Sequence, residues 1–203
     1  MFKNMAMDAL GLSDIGAVIK PEDFHKVDSD DYVIHEEGEK IYFLIKSKTD
    51  EYCFTNLALI HLDGTSAVSK KRLLKRFTYS HHLIKDVKLE TAGTIDMDIE
   101  IKLNMGEQSY SIDVAKVHIV ALKDLYKALL KISSIQRENA LYYQYAQTSL
   151  TTASNTVSRC TTASTSEEQF KAINQYTFNW LKYAHETYMR KDFGEVFEKF
   201  INN

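Results

Sequence analysis

Three carboxylates at alternate positions come closest to a reactive or ligand-binding spacing in this chain. Asp96, Asp98 and Glu100 occupy every second residue, which places them on one face of a β-strand about 6 to 7 Å apart. A metal ion would need further ligands that converge from other elements. A face that meets solvent or a partner is the favoured alternative, so no metal or cofactor is expected. The three carboxylates are candidate residues of an oligomer interface.

A basic segment of opposite charge lies nearby, because residues 69–88 hold seven Lys and Arg side chains against one Asp. Such a segment could attract phosphate groups or the acidic strand of a neighbouring subunit. A charged edge strand that blocks unwanted pairing fits it equally well. The candidate anion-binding residues are Lys70, Lys71, Arg72, Lys75 and Arg76. Lys71 and Lys75 are also candidates for the oligomer interface.

Catalytic patterns do not accompany these charges. The seven histidines are scattered, and the adjacent pair His81 and His82 would point to opposite faces of a strand. The sequence contains no GxSxG, Walker loop, HExxH or GxGxxG motif. We therefore predict a protein that is not an enzyme, with an uncharacterised hydrolase as the remaining catalytic hypothesis.

The composition is that of an ordinary soluble chain, with 203 residues, 44% hydrophobic and 26% charged. A net charge of −3 gives no overall attraction to nucleic acid or to anionic lipid. Two cysteines without CxxC spacing suggest neither a disulfide framework nor a zinc site. With no signal-peptide core at the start and no apolar run of about 20 residues, we expect a cytoplasmic protein.

Alternation of apolar and polar residues predicts the elements that carry the charges. It is clearest from Ile95 to Leu103, where every second residue is apolar, as in a half-buried antiparallel strand. A hairpin is predicted within residues 40–64, with residues 52–62 as one return arm. Residues 1–26 are expected to form short helical turns that end near Pro21, before an acidic connector at residues 28–31. Further strands are predicted at residues 72–79, 83–90, 96–104 and 108–114, with turns at Ala92-Gly93 and Met105-Gly106.

From Val117 the apolar spacing changes to alternating steps of three and four residues, which predicts a long helix. Its second half has a coiled-coil-like seam that Gln136 and Asn139 interrupt with amides. In residues 148–166, 12 of 19 residues are Ser or Thr, so a loop or hinge is predicted there. A last helix should begin near Ser166, where S-E-E-Q resembles a cap, and a break at Gly194 should precede a short tail.

The last seventy residues are rich in aromatic side chains, too many to lie along one narrow helical seam. Burial against sister subunits explains them better than packing onto the same chain's barrel. Tyr143, Trp180 and Tyr183 are taken as candidate interface residues. The other aromatic residues of this region are Tyr142, Tyr145, Tyr176, Phe178, Tyr188, Phe193, Phe197 and Phe200.

Two segments carry a family resemblance. CFTNLALIHLDG, Cys53 to Gly64, and ETAGTIDMDIEIKL, Glu90 to Leu103, resemble the signature stretches of the bacterial pleckstrin-homology (PH) domain family, long a domain of unknown function. The resemblance covers about residues 29–133, and it departs from the family at Asn104-Met105-Gly106. The remaining helical part is similar to the YvbH-type oligomerisation extension.

The resemblance implies an α+β fold: a PH-like antiparallel barrel of about seven strands, capped by a helix and followed by a helical hairpin. The expected domains are a lead-in at 1–28, the barrel at 29–133 and an oligomerisation extension at 134–203. It implies rings of identical subunits and no known ligand. Lys46 and Lys48 match the basic hairpin of eukaryotic PH domains, but Asp50 and Glu51 offset them.

The leading hypothesis is therefore a non-enzymatic assembly module whose partner is itself, with another protein as a further possible partner. The second hypothesis is peripheral binding of anionic lipid or a phosphate-bearing ligand through the basic strand. Membrane binding is expected to be weak or absent, because two partly neutralised lysines contribute little at an anionic surface. No nucleic acid partner is expected.

Overall fold

The computed structural model describes residues 14–64, 72–91, 98–157 and 165–201. Eight strands are followed by three α-helices, and four short 3₁₀ helices connect them. The strands are β1 (Ala17–Val18), β2 (Ile41–Lys46), β3 (Glu51–Thr55), β4 (Ala58–Asp63), β5 (Leu73–Thr78), β6 (Ile84–Glu90), β7 (Asp98–Met105) and β8 (Gln108–Ala115). The helices are α1 (Ile119–Val157), α2 (Ser166–Tyr188) and α3 (Gly194–Ile201).

The strands form two antiparallel sheets, one in the order β1-β2-β3-β4-β5 and the other β6-β7-β8. An isolated parallel bridge between Gly16 and Val114 joins them, with a 2.8 Å hydrogen bond from the Gly16 N–H to the Asp113 carbonyl. A Cβ atom on Gly16 would lie 2.7 Å from the Ile45 side chain, so only glycine allows this approach. The α+β arrangement predicted from the sequence is confirmed.

Strand β7 shows the predicted alternation along its whole length. Every second residue is at most 2% exposed, while Asp98, Glu100 and Lys102 face outward. On the paired strand β8, Tyr110, Ile112 and Val114 are buried on the same inner face. Gly106 joins the two strands with a φ of 62°, which confirms the turn at Met105-Gly106. The predicted turn at Ala92-Gly93 and residue Asp96 lie outside the described residues.

The predicted return arm at residues 52–62 is wrong, because the chain reverses at Asn56 and makes two strands, β3 and β4. The Thr55 hydroxyl accepts hydrogen bonds from the backbone N–H groups of Leu57 and Ala58, at 3.1 and 2.9 Å. This hydroxyl closes a tight turn inside an apolar run. Both strands are largely buried, and only two polar residues, Thr55 and Asn56, interrupt the apolar run between them.

Two further corrections concern residues 21–32. A 3₁₀ helix begins at Pro21 and runs to Lys26, whereas helical turns ending near Pro21 were predicted. Proline suits a first helical position, since it needs no N–H partner there. The acidic connector is also wrong, because Asp28–Tyr32 forms a second 3₁₀ helix. The Glu51 carboxylate fixes it by accepting a 2.8 Å hydrogen bond from the Ser29 N–H.

The described residues up to 134 together with those from 191 onward form one compact unit, and residues 135–190 form a second. The first turns of α1 belong to the first unit, where Leu122, Leu125 and Leu129 are fully buried. The predicted long helix is thereby confirmed. Residues 191–201 group with the strands, although the sequence-based division placed them in the helical extension.

The predicted hinge at residues 148–166 is wrong over its first ten residues, because α1 continues to Val157. The hydroxyls of Thr148, Thr151, Thr152 and Thr156 each donate to the carbonyl four residues earlier, at 2.9 to 3.1 Å. Threonine hydroxyls therefore bond to the helix instead of competing with it. Residues 158–164 of the predicted hinge lie outside the described residues.

Helix α2 begins at Ser166, as predicted, but its cap is Thr165. The Thr165 hydroxyl accepts from the Glu168 N–H, and the Glu168 carboxylate accepts from the Thr165 N–H, which makes a capping box. The break expected at Gly194 falls just before it, and Gly194 is the first residue of α3. The predicted tail is therefore a helix.

Candidate interaction surfaces

The described cations of the predicted anion site are each paired with a carboxylate of the same unit. Arg72 lies 2.5 Å from Asp28 and 3.7 Å from Glu51, and Lys75 lies 2.8 Å from Asp63. The Arg72–Asp28 pair spans 44 residues of the chain, whereas the Lys75–Asp63 pair joins the neighbouring strands β5 and β4. Lys70 and Lys71 lie outside the described residues. The anion-binding assignment stays a prediction, with less unpaired charge on β5 than the sequence indicates.

Arg76 is held more firmly than the other cations. Its Nη2 lies 2.9 Å from both carboxylate oxygens of Glu39, which is 1% exposed. Glu39 also accepts hydrogen bonds from the Thr55 hydroxyl and the Ile34 N–H. A buried carboxylate needs such compensation, because an unpaired charge in the interior is strongly destabilising. Arg76 thus has a structural role in the first unit.

The acidic face predicted on β7 extends onto β8. Glu100 lies opposite Asp113 in the strand register, and Asp98 lies two residues earlier on the same face of β7. Partial burial, followed by the charges of Glu100 and Asp98, raises the pKa of Asp113 above its ordinary value. Lys102 and Ser111 bond to Glu100 and lower its pKa. Asp98 and Glu100 stay candidate interface residues.

Two aromatic residues of the C-terminal segment pack inside the first unit. Phe193 and Phe197 are fully buried, and the Tyr79 ring lies 5.7 and 6.2 Å from theirs. Phe197 also stacks on Tyr42 at 5.5 Å, and the Tyr42 hydroxyl donates a 2.8 Å hydrogen bond to Glu198. For these two phenylalanines, packing within the chain is the correct alternative, and burial against a sister subunit is not needed.

Asn56 organises this contact and was not singled out in the sequence. Its side-chain Oδ1 accepts from the Lys40 N–H at 2.8 Å, and its Nδ2 donates to Asp192 at 2.7 Å. The Asn56 carbonyl accepts from the Phe193 N–H at 2.9 Å, and Asp192 accepts from the Gly194 N–H at the start of α3. The turn between β3 and β4 is thereby tied to α3. Nothing local in the sequence marks contacts between residues 136 positions apart.

The second unit pairs the C-terminal half of α1 with α2. Trp180 donates its indole N–H to the Ala146 carbonyl at 3.2 Å, and Ala146 and Ala184 are buried. Tyr142 contacts Tyr188 with ring centroids 5.7 Å apart. Of the predicted interface residues, Tyr143 and Trp180 are partly buried in this unit. Tyr183 is 56% exposed.

Four tyrosines project from one side of this helix pair. On a helical wheel with about 100° per residue, Tyr142 and Tyr145 lie roughly 40° and 100° from Ala146 of α1. Tyr176 and Tyr183 lie roughly 40° and 60° from Trp180 of α2, in the same sense of rotation. In an antiparallel pair, side chains displaced in the same sense lie on the same side. We call this set the tyrosine face: Tyr142, Tyr145, Tyr176 and Tyr183, which are 42 to 66% exposed.

Charged residues are sparse around the tyrosine face, where the exposed Glu138 carboxylate accepts a 3.1 Å hydrogen bond from the Tyr142 hydroxyl. Residues 139–157 of α1 contain no Asp, Glu, Lys, Arg or His, although most of them are exposed. Residues 172–181 of α2 also lack charged residues. Exposed helices normally carry their charged residues on the solvent side. The absence of charged residues from these two segments is visible in the sequence. It is unusual because the two helices are exposed there.

Sites of other kinds are not found in the described part of the chain. Within residues 14–64, 72–91, 98–157 and 165–201, no three His, Cys, Asp or Glu side chains cluster as metal ligands would. None of the helices in those ranges is sufficiently long and apolar to cross a bilayer.

Two family models match the chain. Residues 9–133 match the model described as a bacterial PH domain, and residues 144–203 match the model described as a YvbH-like oligomerisation region. The first match lies within the first compact unit, and the second match includes most of the second unit and the C-terminal part of the first.

Individual relatives agree with the family models. An uncharacterized protein of Bacillus subtilis (strain 168), YvbH, is 53% identical over the whole length of both chains. A second one from the same organism, YozO, is 30% identical over 80 residues, which are 39% of this chain and 68% of YozO. The crystal structure of a PH-domain-containing protein from Exiguobacterium sibiricum 255-15 aligns with a TM-score of 0.86 and 50% identity, over 93% of this chain and all of that one.

Proposed function

Because the chain belongs to the bacterial PH domain family and ends in a YvbH-like oligomerisation region, we propose that it is a non-enzymatic module that assembles copies of itself through its second unit. The helix pair of the second unit makes the contact between copies, and the first unit is the domain that each copy brings into the assembly. The single observation that carries the proposal is the tyrosine face, together with the exposed segments 139–157 and 172–181, which contain no charged residue.

The chemistry of this surface suits a protein interface. Tyrosine is enriched at interfaces because it buries a large ring while its hydroxyl finds a polar partner, and the centres of interfaces are depleted of charge. Around the tyrosines, α1 carries Thr and Ser and α2 carries Asn and Gln, which can hydrogen bond across a contact without the desolvation cost of a full charge.

A second copy of the same chain is the partner. A surface with so few charges offers little electrostatic selection of a different protein, whereas two identical faces related by a two-fold axis are self-complementary. If the contact were instead head to tail, and the rotation closed, the product would be a ring. The two-fold dimer is the form proposed, the ring is the alternative that a head-to-tail contact would give, and the proposal further includes a cytoplasmic location. That location is supported by Cys53, a buried free thiol.

The other two hypotheses have less support. Lipid binding through the basic segment would use five cations, of which the three that the structure describes are paired with Asp28, Glu39 and Asp63. A hydrolase requires convergent carboxylates and histidines, and the described residues bring none together as a cluster of three.

The test is the mass of the full chain in solution, measured by size-exclusion chromatography with light scattering at micromolar concentration. We expect an oligomer for the native chain and a smaller species for the double variant Tyr176→Lys, Tyr183→Lys. The matched control is Asn174→Lys, His185→Lys, which adds two lysines to the opposite side of α2 and should keep the native mass. Circular dichroism checks that both variants remain helical.

A truncation at Ser133 would not serve as the test. It would remove Phe193 and Phe197, which are fully buried in the first unit. A monomeric native chain would refute self-assembly. An oligomer that is insensitive to both tyrosine substitutions would refute the tyrosine face as its interface.

A further inference from the structure

The outer surface of the 3₁₀ helix Lys116–His118 and of the following turns of α1 combines lysines with exposed aliphatic side chains. Val117 and Val120 are 81% and 70% exposed, and Leu130 is 41% exposed. Four exposed lysines lie on the same side of the segment. We call this surface the lysine face: Lys116, Val117, Val120, Lys123, Lys127, Leu130 and Lys131.

The spacing keeps these side chains on one side of the helix. Lys123, Lys127 and Lys131 follow at four-residue intervals along α1, while Lys116 and Val117 lie in the 3₁₀ helix that leads into it. On the opposite side, Leu122, Leu125 and Leu129 are completely buried in the first unit. Their burial fixes the rotation of the helix, so the lysine face is held toward solvent.

Acidic side chains are scarce along this surface. Asp124 is the one acidic residue between positions 116 and 131, and it pairs with Lys127 at 2.9 Å. Lys123 and Lys131 have no ion-pair partner among the residues that the structure describes. This contrasts with β5, where the described cations have carboxylate partners. The chain as a whole has a charge of −3, so the basic surface is a local feature.

We propose that the lysine face adsorbs to the surface of an anionic phospholipid bilayer. Lysines above a row of exposed aliphatic side chains are the pattern of an interfacial helix: the cations meet lipid phosphates and the valines reach the acyl boundary. The charge complements an anionic leaflet, which attracts basic residues within a Debye length. The lysine face is separate from Lys46 and Lys48 of the β2–β3 hairpin.

A single copy would bind weakly, because each lysine near an anionic surface strengthens binding only about 5-fold. Several copies joined through their second units would add their contacts by avidity. The adsorption itself does not depend on self-assembly. A monomeric chain would still bind at higher lipid concentration, so failure of one proposal can be told apart from failure of the other.

The experiment is flotation of the full chain with vesicles of phosphatidylcholine, with and without phosphatidylserine, at low and at physiological salt. We expect binding to the phosphatidylserine vesicles alone, weakening as salt rises. The variant Lys123→Gln, Lys127→Gln, Lys131→Gln should bind on the order of 100-fold less tightly. The matched control is Lys40→Gln, Lys48→Gln, Lys85→Gln, three exposed lysines elsewhere in the first unit, and it should bind within a few-fold of the native chain.

The aliphatic part is tested separately with Val117→Ser, Val120→Ser. This variant keeps every charge, so it should bind like the native chain at low salt and lose most of the binding that remains at physiological salt. The proposal is overturned if the native chain ignores acidic vesicles, if it binds neutral vesicles equally, or if the control variant loses binding while the α1 variant keeps it. Binding to polyglutamate without binding to vesicles would point to an acidic protein instead, and would also overturn it.

Discussion

The side chain of Asn56 donates a 2.7 Å hydrogen bond to the carboxylate of Asp192, 136 residues further along the chain. This contact joins the turn between β3 and β4 to the residue that caps α3. The last helix is therefore part of the first unit, although the whole second unit precedes it in the sequence. The stability of the PH-like domain should depend on this helix.

A charge swap tests the Asn56–Asp192 contact. Asn56→Asp places two carboxylates against each other and removes the donor, so we expect a loss of about 2 to 3 kcal/mol in the free energy of unfolding at pH 7. Asp192→Asn added to that variant restores one donor and one carboxylate, and retains an acceptor for the Gly194 N–H. Urea unfolding should show recovery of most of the loss. Equal stability of the single and double variants would contradict a direct contact.

Phe197 should be a main contributor to α3 docking. Phe197→Ala removes a fully buried ring that stacks on Tyr42, and we expect it to cost about 3 to 5 kcal/mol. Phe178→Ala makes the same chemical change where the ring is 66% exposed, and should cost less than about 0.5 kcal/mol. Thermal and urea unfolding followed by circular dichroism compare the two. Similar costs would mean that Phe197 is not a core residue.

Acid should destabilise the first unit through Glu51. Burial alone would raise the pKa of Glu51, but Lys46 at 2.6 Å and the Ser29 N–H outweigh burial and lower it. A carboxyl group with a lowered folded pKa stabilises the protein above its unfolded pKa of about 4.3, and this contribution is lost as pH falls through the folded value.

Glu51→Gln should therefore weaken the protein at pH 7 by about 2 kcal/mol and make its acid unfolding shallower. The matched control is Glu167→Gln, whose partner Lys171 is also exposed and whose loss should change little. Urea unfolding at several pH values measures both variants. If Glu51→Gln left the dependence of stability on pH unchanged, the stabilising role of the ionised Glu51 would be contradicted.

The acidic face of β7 and β8 should be electrostatically unfavourable in the isolated chain. The pKa of Asp113 is raised by burial and by Glu100 and Asp98, so its ionised form opposes folding as pH rises through the unfolded and then the folded pKa. Asp113→Asn should stabilise the chain by about 0.5 kcal/mol at pH 7, where like charges lie opposite each other. At pH values below both pKa values, the difference should vanish. Destabilisation at pH 7 would show that the charge of Asp113 has a favourable partner.

Local sequence patterns correctly predicted the strands and helices that bury only one side. The alternation in β7 and the leucine spacing of α1 each follow from one buried side, so sequence alone was sufficient. The turn at Asn56 was missed because both strands beside it are buried and only Thr55 and Asn56 interrupt the apolar run. The helix from residue 148 to 157 was missed because threonine hydroxyls bonded to the helix backbone.

Long-range contacts were the main limit for the candidate surfaces. Arg76 is basic in any local window, and only the fold places Glu39 against it. Phe193 and Phe197 belong to an aromatic region that was interpreted as one interface, and the fold divides that region between two units. The spacing of Lys123, Lys127 and Lys131 was visible, but it becomes informative only when the leucines behind them are known to be buried.

The chain leaves the first unit after residue 134 and returns to it at residue 191. The second unit is therefore an insertion between two segments of the first unit. A single proteolytic cut within residues 135–190 would leave two fragments that α3 still holds together. The two pieces could accordingly be produced from separate genes and reconstitute the domain on mixing. The insert could also be exchanged for another helical segment, provided that the replacement returns the chain to Asn56.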